Sequence, residues 1–342
     1  MKKLSILLAV VMTCISFTRV SAEENQKDPF LTRSFPASAI KNIEATTSGG
    51  SITVNGGASS EAVVEVFVTR NGWSADKIKE VLDEYYTIDV KLENGTLYAT
   101  AKRSSSFSLS GSSLSVSFRI VAPNRVNNKL NTSGGSIHLN GMTGSHDFKT
   151  SGGSLKVENL SGDISGKTSG GSIHISGSGD NIDMATSGGS ITAEDCSGMI
   201  RLRTSGGSIK LSELEGEIDA TTSGGSITAS HISGTLKTGT SGGSVKIGNT
   251  SGNVEARTSG GSMTVEMDEV NEYVKLTNSG NMDVSLPKGK GYNLKIKANK
   301  IETSGLQDFR GNMETKSLEG TIGNGGAEID VKSSQRVKLT IR

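Results

Sequence analysis

The 342-residue chain is poor in cysteine, and its two thiols, Cys14 and Cys196, lie in unlike settings. Cys14 falls within a leader-like segment, so the chain that remains after leader removal keeps one thiol and forms no internal disulfide. Excess charge of either sign is also missing. Three of the 36 basic residues, Lys2, Lys3 and Arg19, sit in the first 22 positions, which leaves 33 against 35 acidic residues. That balance removes any whole-molecule argument for nucleic-acid binding. Beyond the leader no apolar run is long enough for a spanning helix. The motifs of common chemistries are absent too. There is no HExxH pair, and the Ser-Gly-Gly stretches lack the Lys-Ser/Thr that grips a nucleotide. No catalytic residue, cofactor or metal site is therefore expected.

What the chain does have is glycine, 44 residues of it, and a repeat. TSGGSI or a close variant begins at Thr132, Thr150, Thr168, Thr186, Thr204, Thr222, Thr240 and Thr258, at an unbroken interval of 18 residues. A further copy stands alone at Thr47. Within a copy, apolar residues recur at the sixth and eighth positions (Ile209 and Leu211 in one) and at the fifteenth and seventeenth (Ile218 and Ala220). Each pair reads as a short strand with one apolar side. The Gly-Gly and Glu215-Gly216 pairs read as turns, with Leu214 at the corner between the strands. No copy buries its apolar side alone, so stacked copies must share a continuous core.

The fold expected is all-β: a right-handed parallel β-solenoid, or β-helix, with 18-residue coils and an N-terminal α+β cap containing one short helix. Each coil climbs by one strand spacing, roughly 4.8 Å, and right-handedness follows from the general rule for parallel crossovers. Aromatic residues are only 4% of the chain, which suits so thin an interior. Metal-binding calcium rolls are disfavoured because the turn carries no carboxylate. Ice binding is disfavoured because the turn threonine shares parity with core positions and is expected to cap the core edge by a hydroxyl hydrogen bond.

The expected organisation has five parts. Residues 1–22 form a secretory signal, with Lys2-Lys3 as its positive start, an apolar run, and Val20-Ser21-Ala22 before the cleavage point. A rival, lipoprotein processing at Cys14, fits poorly with the preceding Val11-Met12-Thr13. Residues 23–35 form a polar tether, and 36–131 a first coil and N-terminal cap. That cap holds a helix from Ala75 to about Tyr86 with Ser74 as N-cap, followed by a hairpin around Asn94-Gly95. Residues 132–265 are the regular coils. Residues 266–342 are degenerate coils and a C-terminal cap, with turns at Asn278-Ser279-Gly280, two residues out of phase, and at Glu302-Thr303-Ser304-Gly305.

The candidate binding surface is the outward seventh-position column: His138, Lys156, His174, Lys210 and Lys246, alternating with threonine after His174. It holds no acid and runs beside an unbroken fifth-position row of serines from Ser136 to Ser262. Cations and hydroxyls on a flat face suit an acidic polysaccharide. His138 and His174 lie two copies apart, roughly 9.6 Å, too far to share a metal. Outward acids such as Asp183, Glu194, Glu217, Asp219 and Glu255 look scattered over different columns and neutralised by neighbouring bases. Cys196 falls in a column where other copies have Met142, Leu160, Leu214 and Ile232, and is expected to be a small core residue.

The leader, the TSGGSI copies, Val121-Ala122-Pro123 at the entry to the repeat, and the segment VSLPKGKGYNLKIKANKIETSG together resemble the bacterial putative-adhesin family, which is similar in style to auto-transporter adhesin heads. The resemblance spans nearly all of residues 36–342. It implies an exported β-solenoid of the periplasm or cell surface, without catalytic or ligand residues to transfer. The function expected is a non-catalytic adhesion or binding scaffold of the cell envelope. Its expected partner is a cell-surface or extracellular polysaccharide or protein, with no nucleic acid and no transmembrane span; oligomeric state is left open. Two alternatives remain: a carbohydrate-active parallel β-helix enzyme, which needs clustered carboxylates, and a structural or signalling envelope module.

Overall fold

The computed structural model describes residues 28–104 and 114–342. The expected leader with its cleavage point, Cys14, residues 23–27 of the tether and most of the serine-rich stretch before Leu114 lie outside the described residues. The described chain is almost entirely β, with one α-helix, Ala75–Tyr85, and a single hydrogen-bonded network of 24 strands.

The repeat copies pair in parallel, one upon the next. Ile191–Thr204 lies beside Ile209–Thr222, and every partner is 18 residues away: Ile191 opposite Ile209, Cys196 opposite Leu214, Thr204 opposite Thr222. The same offset links Leu155–Thr168 to Ile137–Lys149, and Val245–Thr258 to Ile227–Thr240. Each apolar column is buried in consequence. Ile137, Leu155, Ile173, Ile191, Ile209, Ile227, Val245 and Met263 form the sixth-position ladder, and the eighth, fifteenth and seventeenth positions bury likewise. Phe148 is accommodated inside the thin core because the next copy has glycine there. A Cβ on Gly166 would lie 2.4 Å from the Phe148 ring and 2.6 Å from the Met184 sulfur.

Two short strands per copy were expected; most copies instead form one strand of 13 to 14 residues that bends without breaking its ladder. The bend is a left-handed residue at the tenth position: Gly141, Asn159, Gly177, Asp195, Glu213, His231 and Asn249, with φ between 49° and 71°. Because the bend recurs in register, backbone hydrogen bonds continue through it. Where the next residue inward is polar it bonds locally. Cys196 Sγ donates to Glu194 O at 3.2 Å, Ser178 Oγ to Ser176 O at 2.9 Å, and Thr250 Oγ1 to Gly248 O at 3.1 Å. Cys196 is buried, and burial pushes its thiol pKa up, as befits an inert core residue.

The TSGG turn closes the other corner. Thr204 Oγ1 donates to Gly189 O at 2.8 Å and accepts from Gly207 N at 3.3 Å, a pattern repeated from Thr150 to Thr258. The turn threonine thus caps the core edge. Its second glycine is required by close stacking, because a Cβ on Gly207 would sit 2.1 Å from the Gly189 carbonyl oxygen.

At both ends the chain leaves its sequential order. Asn42–Thr46 and Ile52–Gly56 pair on one side with Asn127–Asn131 and Ile137–Lys149, and on the other with Thr96–Arg103 and Ser115–Ala122. The lone early copy is therefore a layer between two later ones. Antiparallel strands extend this end, Glu61–Thr69 on Ser115–Ala122 and Tyr86–Glu93 on Thr96–Arg103. The helix begins at Ser74, whose side chain accepts from Lys77 N, and buries Ile78 and Leu82. Leu31–Pro36, part of it expected as tether, is a strand paired with Glu61–Thr69. The C-terminal end mirrors this arrangement. Ala327–Ser333 and Arg336–Ile341 pair with Met263–Asn278 and Met282–Leu286 on one side, and with Tyr292–Lys297 and Lys300–Ser304 on the other. The last strands are thus an inner layer: outside Ala327–Ser333 lie Tyr292–Lys297 and then Ser317–Ile322, which runs antiparallel to Tyr292–Lys297. Among the described residues no helix is long and apolar enough to cross a membrane.

Candidate functional site

Stacking at one strand spacing turns every outward position into a row, so candidate sites are faces of the stack. The first face carries the fifth, seventh and ninth positions. Its serine row is a structural ladder: Ser208 N donates to Ser190 Oγ, Ser226 N to Ser208 Oγ, and Ser244 N to Ser226 Oγ, each at 3.2 Å. These hydroxyls are committed as acceptors to the next copy, a role invisible in the one-dimensional pattern.

The cation column lies beside this ladder as expected, but it is not free of acid. His138 Nε2 lies 2.7 Å and Lys156 Nζ 2.8 Å from Glu158 Oε2, which stands at the ninth position. The Lys156 ammonium, helped by His138, holds the Glu158 carboxyl below its usual pKa. Lys210 Nζ approaches Glu194, another ninth-position acid, at 3.5 Å. Only His174 and Lys246 of the five have no carboxylate at ion-pair distance among the described residues. A shallow depression of about 250 Å³ runs between the rows, lined by Ser190, Ser208, Ser226, Thr192, Thr228 and Lys210.

The second face carries the fourteenth and sixteenth positions. Four of the five acids singled out in the sequence pair with a base: Asp183 with Arg203 at 3.5 Å, Asp219 with Arg201 at 4.0 Å, Glu194 with Lys210 at 3.5 Å, and Glu255 with Arg257. Among the described residues Glu217 has no base at ion-pair distance. It is not isolated from other acids, however. Glu217, Asp219 and Glu272 line one groove of about 640 Å³, together with Asn181, Met199, Arg201, Thr235, Lys237, Asn253 and Tyr273. Glu217 and Glu272 are exposed and Asp219 half-buried.

Sequence reasoning missed this groove because its wall comes from a local register shift. Gly252 pairs with Val270 at an offset of 18, and Val254 with Val274 at an offset of 20. The two additional residues form a bulge opposite Asn253, whose Oδ1 accepts from Glu272 N at 2.9 Å and Tyr273 N at 3.3 Å. Tyr273 is half-buried, with Lys275 Nζ 4.6 Å from its ring centroid. The available signal was the two-residue phase change at Asn278-Ser279-Gly280, which records an insertion without locating it.

One polar cluster lies inside the core. His146 Nδ1 and Asn128 Nδ2 are 2.8 Å apart across paired strands, and His146 Nε2 and Asn128 Oδ1 have no partner. Burial lowers the His146 pKa to about 4. No group of three or more His, Cys, Asp or Glu among the described residues is placed to hold a metal ion.

Neither a protein-family model nor a curated protein matches the chain. The solved structures similar to it at a distance include three described as adhesion proteins. One, a putative cell adhesion protein from Clostridium sporogenes, is 10% identical over 91% of this chain and 98% of its own, at a TM-score of 0.23. A putative adhesin from Parabacteroides merdae is 13% identical, covering 74% and 95% at a TM-score of 0.31. A putative adhesin from Bacteroides fragilis is 13% identical, covering 91% and 96% at a TM-score of 0.24.

Proposed function

We propose that the chain is an exported, non-catalytic binding scaffold of the cell envelope. In this reading each 18-residue copy is one coil of a right-handed parallel β-solenoid, preceded by a signal peptide over residues 1–22. Residues 36–131 and 266–342 serve as its caps. One observation carries the binding reading: the 18-residue register turns outward side chains into straight rows, a surface matched to a repeating polymer. The cation column enters as a weak, salt-sensitive contact for acidic glycans, resting mainly on His174 and Lys246.

Burial argues against the enzymatic alternative. A glycosidase needs a carboxylic acid whose pKa is raised, usually by an apolar pocket. Glu217 and Glu272 are exposed, and Asp219 has Arg201 beside it. The test is electrophoresis of the full chain through gels containing envelope polysaccharides, with an assay for new reducing ends. Retardation without release of ends is the expected result. Release of ends would make the chain an enzyme, and capture of one specific protein with no polysaccharide retained would make it a signalling or structural module. Protease shaving of intact cells separates surface from periplasm.

A further inference from the structure

The groove on the second face differs from the cation column in relief, charge and chemistry. Along the regular copies an outward row is flat, because all copies have one length. The bulge opposite Asn253 ends that flatness by lifting Glu272 and Tyr273 beside the row. It is held by two backbone donors to one amide oxygen, so the wall is built into the sheet. Leading up to it, Asn181, Met199, Glu217, Thr235 and Asn253 contribute one fourteenth-position side chain per copy. Four strand spacings separate the first from the last, roughly 19 Å.

The lining is mixed and nearly balanced: Arg201 and Lys237 against Glu217, Asp219 and Glu272, with Lys275 just behind the Tyr273 ring. A polyanion would meet three carboxylates here, and a polycation two bases. An extended peptide would need an open strand edge, but these strands are paired on both sides. Sugar hydroxyls donate to carboxylates and amide oxygens and accept from Arg, Lys and amide N–H groups, so an uncharged sugar chain finds partners at every step. Its apolar C–H faces find two surfaces, the Tyr273 ring and Met199, which at 57% exposure stands uncovered among the regular copies.

We propose that this groove binds a linear, uncharged polysaccharide laid along the stack, with Tyr273 as the stacking platform at one end. The inference rests on the binding-scaffold reading and names its ligand class and site. The test measures retardation of the full chain in gels of uncharged polysaccharides (mannan, galactomannan, mixed-linkage glucan) and of an acidic one (alginate), at low and high salt. Binding to an uncharged chain is expected, with little change on adding salt because no net charge is screened. Tyr273→Ala should weaken it roughly tenfold by losing a ring face, whereas Tyr273→Phe should retain it. Glu217→Ala, at an exposed position, should weaken it as well. Changing Lys156, Lys210 and Lys246 to Glu should leave it intact. Uncharged-chain binding indifferent to Tyr273→Ala and Glu217→Ala, or retention confined to alginate and abolished by salt, would overturn the groove while leaving the scaffold standing. No retention in any gel would overturn both.

Discussion

The regular copies and the two ends share one layer geometry but differ in the order in which the chain visits the layers. In residues 132–258 each layer is covalently followed by the layer stacked on it, and neighbours supply all pairing. At the ends, 42–56 lies between 96–122 and 127–140, and 327–341 lies between 263–286 and 292–304. The middle is therefore modular, with stability that adds copy by copy. Each end is a three-layer lock in which removing the inner layer strands two others. The outermost strands, such as Tyr86–Glu93, run antiparallel and carry charge: Lys91 lies 3.2 Å from Glu93 and 3.6 Å from Asp89. Such edges resist pairing with another chain.

The largest expected effect contrasts deletions. Removing residues 186–203, one whole copy, should leave a soluble, cooperatively melting protein, because 18-residue partners realign. Removing 336–342, far fewer residues, should abolish cooperative melting, because Met282–Leu286 and Lys300–Ser304 both lose their shared partner. Circular dichroism melts of the two decide it, and equal behaviour would dissolve the contrast between middle and ends. Next in size, Ile209→Asp places an unpaired carboxylate in a fully apolar column and should cost several kcal/mol in denaturant titration.

A smaller effect belongs to the junction between the N-terminal end and the middle. His146 has a folded pKa of about 4 against an ordinary 6.5, so the unfolded chain binds more protons between those values. Stability is then full above pH 6.5 and falls as pH drops toward 4, by up to about 3 kcal/mol. Replacing His146 with the isoleucine of other copies should flatten that part of the stability–pH curve. Smallest is Ser208→Ala, which removes one rung of the serine ladder and should cost about 1 kcal/mol; no change would return those hydroxyls to the solvent.

Legibility in the sequence followed the same division. In the middle, a fixed period makes every inward position readable by comparing copies, and the buried ladders from Ile137 to Met263 are the columns so read. The left-handed tenth position escaped notice because Asn, Asp, Glu, His and Gly share a backbone conformation there and no side-chain chemistry. His231, one of four histidines, is simply such a corner. At the ends the helix and hairpin were readable from local signals, Ser74 and Asn94-Gly95, but the order of layers was not. Pairing Ile52 with Ile137 spans 85 residues, and no local propensity encodes it. The groove failed for a third reason: a phase change reports how many residues were added, while the amide of Asn253 decides where they bulge.

The interleaved ends also set a timetable for a chain that emerges N-terminus first, from a ribosome or through a pore. Residues 42–56 present apolar strand faces early, but one neighbouring layer is complete only at residue 122 and the other only at about residue 140. The repeats behind them then have a template and can add one at a time. Tyr292–Lys297 and Lys300–Ser304 must wait again, because the strands that anchor them are the last to appear. Assembly thus waits on residues 96–140 at one end and on residues 327–341 at the other, and a product cut short before residue 327 is left with an unfilled slot between two layers.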